Sequence, residues 1–169
     1  MSKRSYGLNP GDNVLAMSRQ VCDVLGYGST GSADYMLAET AAAETCLGYY
    51  QDPTPNGAGF GLTQFDLIGF EDVKQRARAK HKEALRQELD IDVDAAQLAD
   101  LNDDPMLSLA LTRLKYLLIP EPIPRDFVSR AMYWKRYYNT VAGKGTPKHY
   151  LKMAEKYLYH LPEKETEHA

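Results

Sequence analysis

The chain has 169 residues, 44% apolar and 25% charged, with a formal net charge of −3. That length fits one domain with a sizeable core, and the composition is that of an ordinary soluble globular protein. The slightly acidic balance argues against nucleic acid as a partner, and no stretch approaches the roughly 20 apolar residues of a membrane span. Two cysteines, Cys22 and Cys46, are too few for a disulfide framework.

In chain order, Asn9-Pro10-Gly11-Asp12 is a helix start signal, with Asp12 or Asn13 as cap. Val14, Met17, Val21, Val24 and Leu25 recur at helical spacing, and Gly26 ends the run. After a Gly/Ser loop, Ser32 caps a second helix over residues 33–47, rich in alanine, and both cysteines fall inside these apolar patterns as free buried thiols. Residues 51–61 hold two prolines, three glycines and Asn56, which fits a hairpin or an irregular loop. A charged helix is expected over residues 70–89, and Pro105 opens the most apolar helix, the expected core helix, running to Leu118. Pro120, Pro122 and Pro124 make a rigid connection. Helices over residues 126–138 and 147–160 follow, separated by a turn at 140–146, and residues 163–169 form a frayed tail on a single domain of residues 1–162. The pattern is mainly α, with little or no β.

Charge is unevenly distributed. Residues 84–104 carry seven acids against Arg86, and residues 124–152 carry seven bases against Asp126. Such a basic face suits an anionic polymer, although a solvated helix face explains it as well. Twelve tyrosines against four phenylalanines suit a polar ligand such as a glycan, or pack at helix edges. Asp90-Ile91-Asp92-Val93-Asp94 imitates the opening of a calcium loop, but Ala95 and Leu101 stand where glycine and a bidentate glutamate are needed, so a polar turn is expected. Neither histidine nor cysteine occurs at metal-ligand spacing, and no metal or cofactor is expected.

The chemistry concentrates at Glu44, near the end of the Ala-rich helix, followed by Gly57-Ala58-Gly59-Phe60-Gly61-Leu62-Thr63-Gln64. A carboxylic acid that is partly buried holds its proton near neutral pH and can protonate a leaving group. Glycines let a ligand chain approach the backbone.

Glu44-Thr45 and Gly59-Phe60-Gly61-Leu62-Thr63-Gln64 resemble the Glu-Ser and Gly-Leu-x-Gln elements of lytic transglycosylases and goose-type lysozymes, with threonine in place of the usual serine. The segment Tyr133-Trp134-Lys135-Arg136-Tyr137-Tyr138-Asn139-Thr140, followed by Gly143-Lys144-Gly145-Thr146, is similar to a C-terminal signature of phage-encoded members, in the place of a Tyr-Asn-Ala-Gly element. The resemblance covers residues 33–150. It implies a lysozyme-like fold with two lobes around a glycan-binding cleft and cleavage of the β-1,4 bond between N-acetylmuramic acid (MurNAc) and N-acetylglucosamine (GlcNAc) in peptidoglycan. It makes Glu44 the general acid/base, has Gln64 bind sugar or hold the loop, brings the Tyr138 hydroxyl to the acid, and adds Asn139, Phe60, Gly61 and Leu62 to the substrate walls. Trp134 is divided between stacking on sugar and anchoring the core.

A transglycosylase needs no second carboxylate, because the substrate's own acetamido and 6-hydroxyl groups complete the reaction; a hydrolase usually needs one. Asp52 and Asp66 are the candidates for it, with Glu39 and Glu71 behind; a cap before Leu67 is the competing role for Asp66 and a turn for Asp52. Glu39, about 140° round the helix from Glu44, is expected at the surface. The alternatives are a hydrolytic lysozyme or chitinase-like muramidase, and a non-catalytic phage structural protein on the same scaffold. No secretory signal is visible, which fits an endolysin held in the host cytoplasm until a holin-dependent route releases it, or a component of the phage virion among other virion proteins.

Overall fold

The computed structural model describes residues 3–51, 57–139 and 143–162. It is mainly helical, and among the described residues the only β pairing is a bridge between Phe60 and Phe65. The elements are α1 (Val14–Leu25), α2 (Ala33–Thr45), α3 (Leu67–Arg76), α4 (Ala79–Leu89), a 3₁₀ turn (Leu98–Asn102), α5 (Pro105–Leu117), α6 (Phe127–Trp134) and α7 (Pro147–Met153). A π-helical turn extends each of the last two, over Lys135–Asn139 and Ala154–Leu158.

Most boundaries follow local chemistry. Asn13 caps α1 by accepting from Ala16 N, and Gly26, at φ +94°, ends it. Asp104 caps α5 ahead of Pro105 at the first helical position. Asp126 and Thr146 do the same for α6 and α7. Ser32 precedes α2, but its hydroxyl donates back to Thr30 O instead of capping.

The single helix expected over residues 70–89 is two. The chain turns extended at Ala77 and Arg78, with ψ of 139° and 142°, so Phe70 and Val73 bury from α3 and Leu85 buries from α4. No glycine or proline marks the break; burial of apolar side chains on differently directed faces overrides the helix propensity of the intervening residues.

α5 is buried as expected, but α2 is buried more completely: eleven of its thirteen residues against nine of thirteen in α5. α2 packs against α1, α5 and α7; α6 packs on α7, α3 on α5 and α4 on α1. The run Ala41-Ala42-Ala43 permits this crowding, because side chains this short let neighbouring backbones approach α2 closely.

Glu39 corrects its sequence reading. It is fully buried, and its carboxylate takes Arg130 Nε at 2.7 Å and Nη2 at 2.9 Å, Tyr150 Oη at 2.7 Å and the Tyr159 hydroxyl. Helical periodicity correctly turned Glu39 away from Glu44, but the opposite face of α2 meets α6 and α7, not water. Cys22 is buried, Cys46 is half-buried, and both are free thiols. In the acidic segment, Asp92 accepts from Ala95 N and Asp94 pairs with Lys82, so the aspartates make turns and a surface ion pair.

Candidate functional site

Glu44 lies in the last turn of α2, immediately before three residues with positive φ: Cys46 at 53°, Leu47 at 56° and Gly48 at 84°. Two non-glycine residues in the left-handed region turn the chain sharply and carry strain that the surrounding packing must hold. Glu44 keeps some solvent access, yet surrounding protein desolvates its carboxyl and pushes the pKa up to about 7. The C-terminal end of α2 acts in the same direction, because the aligned peptide dipoles there disfavour a negative charge. Lys115 and the indole of Trp134 oppose these effects and hold the value from rising further.

The glycine loop is tied to Glu44's helix through its neighbour. Thr45 Oγ1 donates to Leu62 O at 2.7 Å, so the residue after the acid clamps the loop. On the other side, Tyr138 Oη donates to Thr63 O at 2.7 Å and Thr112 Oγ1 to Thr63 Oγ1 at 2.8 Å. The Phe60–Phe65 bridge closes the loop's base, with bonds of 2.8 and 3.0 Å.

The predicted site residues divide accordingly. Tyr138 is buried beside Glu44, and desolvation followed by the Glu44 charge pushes its pKa above the ordinary tyrosine value. Its single proton is committed to Thr63 O, so it presents only oxygen lone pairs to the acid. It can accept a hydrogen bond from a protonated Glu44, but it has none to give to an ionised one. Gln64 adopts φ 57° and braces the loop: its amide donates to Gly61 O at 2.9 Å and Tyr6 Oη at 3.2 Å. Asn139 accepts from Lys135 Nζ at 2.8 Å, and the same lysine reaches Gly143 O at 2.9 Å.

Gly61 serves the interior. At φ +80° it is buried, and a Cβ there would lie 2.7 Å from Leu101 O and from Ser108 Oγ. The glycine admits the 3₁₀ turn, not a ligand. Leu62 is fully buried, which leaves its carbonyl, already held by Thr45, as its link to the site; Phe60 is half-buried. Asp66 is exposed and caps α3, with Oδ1 accepting from Gly69 N at 2.7 Å. Glu71 is also exposed, and Asp52 lies outside the described residues.

Trp134 resolves its two readings. The ring is 1% exposed, packed against Tyr150 at 5.4 Å between centroids and against Gly145, where any side chain would collide with it. It offers no face for stacking. Its Nε1, however, is buried without a hydrogen-bond partner while its field favours the charged form of Glu44. The indole N–H is therefore near enough to the carboxyl to favour its charged form, without a formed hydrogen bond.

Lys115 was not anticipated. It sits on α5 among residues that read as a continuous apolar stripe, and nothing in that spacing separates it from a solvated helix residue. Its ammonium stands 4.2 Å from the Tyr138 ring centroid and 5.5 Å from that of Phe65. Burial pushes its pKa down, while Asp66, Glu44 and Asp72 pull it up in that order. Four elements thus converge on one acid: α2 supplies it, α5 a cation, α6 an indole N–H, and the π turn a tyrosine oxygen. Two surface depressions, of about 390 Å³ beside residues 90–107 and about 420 Å³ beside residues 3–9, do not include Glu44. Among the described residues no cluster of histidine, cysteine, aspartate or glutamate could hold a metal ion.

No family model, curated protein or solved structure matches the chain.

Proposed function

We propose that the protein cleaves the β-1,4 bond between MurNAc and GlcNAc in peptidoglycan, with Glu44 as its general acid and base, on a lysozyme-like scaffold whose two lobes flank a glycan-binding cleft. The observation that carries this reading is Glu44 itself: a partly exposed residue whose carboxyl is desolvated strongly enough to put it at about 7. At that value the group holds a proton at neutral pH and releases it readily, which a surface glutamate near 4.3 does not.

In the transglycosylase form of the reaction, Glu44 gives its proton to the bridging oxygen as the glycosidic bond breaks. The MurNAc acetamido oxygen stabilises the oxocarbenium-like centre. The 6-hydroxyl then bonds to C1, its proton returns to Glu44, and a 1,6-anhydro sugar is left. One carboxyl suffices for this route, because the substrate supplies the remaining groups. Thr45 and Tyr138 fix the loop that would lie along the glycan. The setting we propose is a phage endolysin released through a holin-dependent route, or a virion component acting at entry.

The test is digestion of purified peptidoglycan by the parent and by Glu44→Gln, read by mass spectrometry. Anhydro-muramic ends from the parent support the transglycosylase. Reducing ends replace it with a hydrolytic muramidase, for which exposed Asp66, sharing the field of Lys115 with Glu44, is the carboxylate to examine. Loss of lysis by on the order of a hundredfold or more in the variant is the scale of a missing general acid. Undiminished digestion by Glu44→Gln would overturn the reading and leave a non-catalytic role on this scaffold.

A further inference from the structure

We propose that Lys115 is a specificity-determining residue that binds a carboxylate carried by the substrate, namely one on the peptide attached to the glycan. The proposal rests on the Glu44 reading of the site. Its starting point is an ammonium group with no hydrogen-bond acceptor and no ion-pair partner within 4.0 Å among the described residues. The neighbouring chemistry makes that unusual. The lysine stem leaves α5 through a desolvated environment, and a cation withdrawn from water is costly unless an anion or acceptor meets it. Here it meets two aromatic faces, Tyr138 and Phe65, which hold the cation in place without neutralising it.

The nearby acids are otherwise engaged or set back. Asp66 commits Oδ1 to the α3 cap, Asp72 pairs with Arg76, and Glu44 carries the proposed chemistry. The approach to the ammonium is kept low by Gly69, where an added Cβ would stand 3.8 Å from Nζ. Beside it the first turn of α3 exposes Leu67 and Ile68, at 57% and 82%, as an apolar rim that a peptide or sugar could cover. A carboxylate is the complement that such a site lacks.

Occupation would also act on the acid. Lys115 holds Glu44 toward its charged form; an anion on the ammonium cancels that field and favours the protonated acid, the form needed to start cleavage. Substrate bearing the right charge would therefore prime the residue that cleaves it.

Binding is measured on the Glu44→Gln protein by calorimetry, with a GlcNAc–MurNAc dipeptide bearing free glutamate carboxylates and the same compound with those carboxylates amidated. The expected result is a preference of on the order of tenfold for the free acid. Adding Lys115→Gln should abolish the preference, and adding Lys115→Arg should retain it; thermal melts confirm that each variant folds. Equal affinities in the Glu44→Gln protein, a preference that survives Lys115→Gln, or no binding of either compound would each overturn the proposal. Peptidoglycan cleavage by the parent is scored separately, so a failed Lys115 assignment is distinguishable from a failed glycosidase assignment.

Discussion

Replacing Glu44 with glutamine should stabilise the protein while disabling it, and the stabilisation should depend on pH in a defined way. The native carboxyl titrates at about 7, against an ordinary value of 4.5. Between those two values the folded state binds more protons than the unfolded state, so this group's contribution to stability is fully present below pH 4.5 and is lost as pH rises through 7. The difference, at 1.36 kcal/mol per unit, is about 3 kcal/mol. Glutamine has nearly the same shape and no charge to desolvate. The variant should therefore match the parent at pH 4.5 and exceed it by about 3 kcal/mol at pH 8, a Tm difference of roughly 6–12 °C for a chain of this size. Paired thermal melts of parent and variant at half-unit intervals isolate Glu44, because every other titrating group is common to both. A gap that stays constant from pH 4.5 to 8 would refute the claim that protein desolvates this carboxyl, and the acid role would fall with it.

Three further outcomes follow from the same geometry. Wall cleavage should fall roughly tenfold between pH 6 and pH 8, as deprotonation of Glu44 near 7 removes the acid, and a rate that climbs over that interval would contradict the role. Trp134 is the sole tryptophan and its N–H faces Glu44, so intrinsic fluorescence should titrate with a midpoint near 7 in the parent and show no such step in Glu44→Gln. Glu39→Gln should cost about 3–5 kcal/mol in chemical denaturation, because it leaves the Arg130 guanidinium buried beside a neutral amide; a loss below 1 kcal/mol would mean the ion pair contributes little.

The helices were legible where start signals and periodicity coincide, as at Asn13 and Pro105; the caps at Asp104, Asp126 and Thr146, whose side chains satisfy the first amides of their helices, were not read from the sequence. The break at Ala77 was not, since it depends on which distant surfaces α3 and α4 must cover. The burial of Glu44 was legible because an acid inside an Ala-rich run packs closely with its neighbours. The roles of its neighbours were harder to read. Gly61 reads as an opening for ligand and proves to be a close contact with Leu101 and Ser108. Gln64 carries an amide suited to sugar, yet left-handed backbone at that residue curls it onto Gly61 and Tyr6. Lys115 and the unpartnered Trp134 N–H could not be found from spacing, because each becomes distinctive only through groups brought from other helices.

Two glutamates five residues apart on α2 show how one helix can carry opposite tasks. Glu39 receives four donors from Arg130, Tyr150 and Tyr159, so its charge is matched on every side and joins α2 to α6, to α7 and to the turn beyond it. Glu44 has no such set of donors among the described residues; near it lie an indole N–H without a formed hydrogen bond, a tyrosine hydroxyl whose proton goes to Thr63 O, and a cation restrained by aromatic rings. Each feature withholds the donor that would fix Glu44 as a carboxylate. An acid meant only to hold helices together would gain by closing those bonds, as Glu39 does. Leaving them open sacrifices stability above neutral pH, and that loss is intelligible where the group must take up and release a proton during turnover.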